Sequence, residues 1–178
     1  MQDAAPETAG GAQSLARRVI EWWALAGGLV LLGIALMTTW SSASSVLFKK
    51  PLPGDFELVE MLIAVSVFSF LPYCQLTGAN VTADIFTARA GPRTVALLGA
   101  LSAVIALGFS LLLGWRMTAG LQDYRQYVET TAILRIPIWY AYIPALASLA
   151  LLALSACLSL GDAIDRWKRA LKSPRLGS

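Results

Sequence analysis

Four stretches without a single charged residue divide the chain: Trp22–Phe48, Met61–Ala83, Thr94–Trp115 and Ile136–Gly161. Each is longer than the roughly 20 apolar residues needed to cross a bilayer core as a helix. Inside hydrocarbon a backbone must satisfy its own polar groups, so runs of this kind predict helices and not open strands. The pattern therefore predicts an all-α integral membrane protein with four transmembrane spans, at about residues 22–46, 58–79, 93–116 and 137–161.

The polar segments between the runs predict where the helices begin and end. Residues 1–13, "MQDAAPETAGGAQ", are small and polar and read as a disordered N-terminal tail. "SLARRVIEWW" follows, with Arg17, Arg18 and Glu21 beside Trp22 and Trp23, the composition of a short interfacial helix leading into the first span. "KKPLPGDFE" is a tight connection broken by Pro53 and Gly54, after which Asp55 is placed to cap the second helix. Glu57 and Glu60 fall in its first turns, where the positive end of the helix dipole favours them. "NVTADIFTARAGPR" reads as a short amphipathic stretch along the membrane surface that ends at Gly91–Pro92. The longest connection, "RMTAGLQDYRQYVETTAILRIP", has no proline in its first half, so the third helix can run on to about Tyr127. Pro137 suits the first turn of the fourth helix. Residues 14–165 thus form the membrane domain and 166–178 a basic tail.

Composition agrees with a lipid environment. Hydrophobic residues make up 57% of the 178 and charged residues only 14%, with a mean hydropathy of +0.63. A soluble domain carries roughly 25% charged residues. The basic residues are distributed unevenly about the four spans. Nine (Arg17, Arg18, Arg89, Arg93, Arg166, Lys168, Arg169, Lys172 and Arg175) fall on the side of the termini, and five (Lys49, Lys50, Arg116, Arg125 and Arg135) on the other. The positive-inside rule then places both termini in the cytoplasm. A net charge of +3, spread thinly, gives no face for nucleic acid. Histidine is absent, which removes bis-histidine haem and most catalytic zinc. Cys74 and Cys157 both lie in apolar runs and read as buried packing residues.

Candidate chemistry is sparse. Glu60 is the one acid near the hydrocarbon, about one and a half turns into the second span, where it can serve an interfacial role, a contact with a partner subunit, or cation coupling. Pro72 lies in the middle of that span and predicts a kink or a hinge. Gln75 and Thr77 are polar at depth and can bond to a neighbouring helix, and Pro144 should bend the start of the fourth span. Small residues recur at four-residue spacing as Gly99–Ala103, Ala96–Ala100, Ala153–Cys157–Gly161 and Ala24–Gly28, which favours close helix packing. No nucleophile stands with a base beside it, and no Cys-rich cluster, HExxH or P-loop occurs. This pattern points away from an enzyme and toward an auxiliary membrane subunit, a four-helix bundle that holds something else. The alternative is a self-contained small four-span carrier or exporter using Glu60.

The order "FKKPLPGDFELVEMLIAVSVFSFLPYCQLTGANVTADIF", a third span, then "ETTAILRIPIWYAYIPALASLALL" resembles the small membrane subunit (the Q component, DctQ-like) of tripartite ATP-independent periplasmic transporters, or TRAP transporters. The resemblance covers roughly residues 15–165. It implies a bacterial inner membrane location and two protein partners, a large TRAP membrane subunit and a periplasmic solute-binding protein. It also implies uptake of an organic acid-like solute by symport, with no cofactor in this chain and a sodium gradient used by the large subunit. On that reading Glu57, Glu60, Pro72, Gln75, Asp84, Pro137 and Trp139 are candidates for contact with the large subunit. Lys49, Lys50, Asp55, Arg125, Glu129 and Arg135, in the loops expected outside, are candidates for docking the binding protein.

Overall fold

The computed structural model describes residues 8–50, 52–78 and 92–172. They form four helices: α1 (Thr8–Phe48), α2 (Asp55–Thr77), α3 (Pro92–Tyr127) and α4 (Trp139–Lys172). Each is long and apolar enough to cross a membrane, over Gln13–Phe48, Asp55–Thr77, Leu97–Tyr127 and Trp139–Asp165. Among the described residues there is no strand, only an isolated antiparallel bridge between Thr130 and Pro137.

The helix ends follow from local sequence, with some differences from the reading above. α1 is one unbroken helix of 41 residues, so the separate interfacial helix expected over "SLARRVIEWW" is instead an early part of α1. No proline or glycine lies between Ser14 and Ala26 to interrupt it. At the start of α2 the cap is Gly54, not Asp55. Gly54 takes φ 77°, in the left-handed region that glycine adopts without penalty, and its carbonyl accepts the Leu58 N–H at 3.2 Å. Asp55 is the first helical residue. α2 ends at Gly78, also left-handed, whose N–H returns to the Cys74 and Gln75 carbonyls. α3 runs to Tyr127, as the proline-free stretch predicts. Pro137 stands two residues before α4, where the Tyr140 N–H bonds to its carbonyl in a tightened first turn.

The helices pack in the order α1–α2–α4–α3. α4 is flanked by α2 on one side and α3 on the other, and α1 packs mainly on α2. The buried side chains are mostly small. They include Ala24, Ser66, Ser69, Ala103, Ala145, Ser148, Ser155 and Ala156, while large residues such as Trp22, Leu29, Leu36, Leu112 and Trp115 are exposed. This arrangement suits lipid, where helices gain by backbone approach and hydrogen bonding and not by hiding leucine. A Cβ at Gly27 would lie 2.6 Å from Ser69 Cβ, so α1 and α2 touch backbone to backbone there.

One small-residue stripe does not pack within the bundle. Cys157 and Gly161 are exposed, and nothing lies within 4 Å of a Cβ built on Gly161. The neighbouring face of α4 is buried because its serines reach α2: Ser155 Oγ donates to the Pro72 carbonyl at 2.9 Å and Ser159 Oγ to the Gln75 carbonyl at 3.4 Å. Neither cysteine is fully buried, since Cys74 is only half-buried.

Candidate functional site

The end of the molecule that carries the α1–α2 and α3–α4 connections is tied together by short-range chemistry. Ser41 Oγ on α1 donates to Asp55 Oδ2 at 2.6 Å and accepts the Leu52 N–H at 3.3 Å. Ser44 Oγ donates to the Lys50 carbonyl at 2.8 Å, holding the turn in which Lys49 takes φ 52°. The Glu57 carboxylate then reaches across to the α3–α4 connection and accepts two backbone N–H groups, from Ile133 at 2.6 Å and Leu134 at 2.9 Å. Gly54 makes room for this clamp: a Cβ there would overlap the Leu134 side chain.

The α3–α4 connection has its own frame. Thr131 N–H bonds to the Ile136 carbonyl at 2.9 Å, Ile138 N–H to the Glu129 carbonyl at 3.2 Å, and Ile136 N–H to Thr131 Oγ1 at 3.1 Å. Val128 and Arg135 turn the chain with positive φ. The Arg125 guanidinium lies 5.6 Å from the Trp139 ring centroid, a cation–π distance, and the Tyr124 ring packs at a tilt against Tyr142 with centroids 5.2 Å apart. The outcome is a braced platform on which Ile133 and Phe56 stand out, 62% and 85% exposed.

The residues singled out from sequence divide in three ways. Lys49, Lys50, Arg125, Glu129 and Arg135 are all exposed at this end, whereas Asp55 is half-buried and engaged with Ser41. Among the contact candidates, Glu57, Pro137 and Trp139 join the platform, while Pro72 and Gln75 are buried deep between α2 and α4. Glu60 is exposed on the surface of α2 and not enclosed. Asp84 and the "VTADIF" stretch lie outside the described residues.

Sequence reasoning passed over the contacts that fix α1 to α4. Arg17 pairs with Asp162 at 2.8 Å toward the end carrying the termini, and Trp23 Nε1 donates to Ser148 Oγ at 2.9 Å deeper in. Ser148 Oγ donates in turn to the Pro144 carbonyl at 2.8 Å. The Ser148–Ser155–Ser159 spacing, two turns and then one, was the available signal for this face.

A cavity of about 410 Å³ opens between α2 and α3, with Leu152 of α4 as its floor and Leu71, Ile105 and Phe109 on its walls. Gln75 and Ser102 add polar atoms to an otherwise apolar lining. Among the described residues no charged side chain is buried, and no three of His, Cys, Asp and Glu come together to hold a metal. Such an interior can pack and align helices.

Comparison with curated proteins and with solved structures gives no match. The family model for the DctQ component of tripartite ATP-independent periplasmic transporters matches residues 34–166, from the middle of α1 to near the end of α4. With four membrane-crossing helices and a match over most of its length, the chain is a multi-pass membrane protein and belongs to the DctQ family, the small membrane subunits of TRAP transporters.

Proposed function

We propose that this chain is a non-catalytic brace in a TRAP transporter of a bacterial inner membrane. It holds the large permease subunit in place while that subunit carries an organic acid-like solute inward on an ion gradient, usually of sodium, after delivery by a periplasmic binding protein. Both termini are cytoplasmic, and the braced loop end faces the periplasm. The match over residues 34–166 carries this reading. The absence of any buried charge among the described residues supports it, because a self-contained carrier would need Glu60 in an enclosed site and Glu60 is exposed.

Reconstitution in sealed vesicles tests the proposal. The small and large subunits together, supplied with the binding protein, take up solute when a sodium gradient is imposed. The small subunit alone moves none. Uptake by this chain alone would overturn the reading.

A further inference from the structure

Glu60 on α2 and Arg116 on α3 are opposite charges on the two helices that wall the α2–α3 groove. Contacts along the helices give the register. Pro72 meets Ser155 and Gln75 meets Ser159, so α2 and α4 run parallel. Gly99 lies beside Ala163 and Gly120 beside Tyr142, so α3 and α4 run antiparallel. On that register Glu60 lies level with Ile143 and Pro144, and Arg116 with Leu146, within about one helical turn of each other. Both stand about one turn further along the bundle than Trp139 and Tyr140, near the level of Tyr142 and Trp115.

Helical spacing puts both on the groove side. Glu60 precedes the wall residue Leu71 by three turns, and Arg116 follows Phe109 by two turns and Ile105 by three. Both side chains are exposed, and neither makes a hydrogen bond or ion pair among the described residues. An ionised group at this depth is costly unless it finds a partner of opposite sign. The 410 Å³ cavity lies on the same line, beginning about 10 Å further toward the end with the termini.

An acyl chain entering at the charged end would stop near the bilayer midplane, because each leaflet contributes only about 15 Å of hydrocarbon. On the register above, the cavity begins beyond that level. One element that reaches both the charges and the cavity is a membrane-spanning helix. We infer that the α2–α3 groove seats a transmembrane helix of the large subunit, whose carboxylate pairs with Arg116 and whose basic or hydroxyl side chain pairs with Glu60. An apolar side chain of the same helix fills the cavity. This inference rests on the brace reading above and specifies where the brace grips.

The test uses cells making the whole transporter. A photo-reactive phenylalanine is placed at Ile105 or Phe109 in the groove, or at Leu29 or Leu36 on the exposed face of α1, and adducts are identified by mass spectrometry. The groove positions are expected to join this chain to the large subunit. Arg116→Glu and Glu60→Lys are each expected to lower recovery of the large subunit on the tagged small one by roughly tenfold, the loss of about one well-placed ion pair. Arg116→Lys, which keeps the charge, should retain most of it, with the level of this chain in the membrane unchanged throughout. Groove adducts with lipid alone or with a second copy of this chain would overturn the inference. So would restoration of assembly by the Glu60→Arg, Arg116→Glu double exchange, which would mean that the two charges serve each other. Large-subunit adducts from Leu29 or Leu36 only would move the grip to α1 and leave the brace reading standing. If no position yields an adduct with the large subunit and none co-purifies with the wild-type chain, both inference and brace reading fail.

Discussion

The Leu134 N–H points at the carboxylate of Glu57, 77 residues earlier in the chain, at 2.9 Å. The same carboxylate holds the Ile133 N–H at 2.6 Å. One side chain at the start of α2 thereby sets the conformation of the α3–α4 connection. Backbone N–H groups in such a loop need an acceptor, and an ionised one forms the stronger bond.

Replacing Glu57 with alanine should release residues 131–135 while leaving the four helices formed. Amide hydrogen exchange at Ile133 and Leu134 should speed markedly in detergent, and Glu57→Gln, which keeps one acceptor oxygen, should fall between alanine and wild type. Unchanged exchange at both amides in the alanine variant would mean that the hairpin bonds of Thr131 and Ile138 hold the loop by themselves.

Gly54→Ala should destabilise the chain through two effects at one position. A left-handed φ costs a residue with a Cβ about 1–2 kcal/mol, and the new methyl group would also displace Leu134. Leu134→Ala removes the second effect but not the first. Thermal unfolding of both single variants and the double variant should therefore show a double-variant loss smaller than the sum of the singles. Strict additivity would place Leu134 elsewhere than above Gly54.

Gly27→Ala should wedge α1 away from α2. The added Cβ would stand 2.6 Å from Ser69 Cβ, and overpacking of this kind costs about 1–3 kcal/mol. Ser69→Gly in the same chain should recover much of the loss, because it removes the atom in the way. The measurement is the unfolding midpoint of the four variants in one detergent, and failure of the second substitution to rescue would refute the close approach.

Reversing Arg125 and Arg135 together should slow binding-protein-dependent uptake without lowering the amount of transporter in the membrane. Charges on an exposed rim steer association more than they add affinity, so the defect should shrink as ionic strength rises. Arg125→Glu also gives up the contact with Trp139, which makes Arg135→Glu alone the cleaner control. Uptake at the wild-type rate in the double variant would remove these arginines from docking.

The helices were legible because lipid leaves the backbone few choices. Four long uncharged runs had to become four helices, and the absence of proline between Arg116 and Tyr127 was enough to mark where α3 ends. The loop platform was not legible. It depends on a left-handed Gly54 beneath a leucine 80 positions away and on backbone amides that carry no trace in the sequence. The buried face of α4 was misread for a simpler reason. Serine is small too, so small-residue spacing marks two adjacent faces equally, and the one holding Ser155 and Ser159 wins by bonding to the carbonyls of Pro72 and Gln75. The Arg17–Asp162 pair joins residues 145 apart, beyond the reach of any local pattern.

Because α1, α2, α4 and α3 stand side by side, the subunit resembles a fence and not a tube. A fence has two broad sides, and its one described hollow opens between two of the pales, α2 and α3. One side can be given over to a neighbouring protein while fatty chains wet the other.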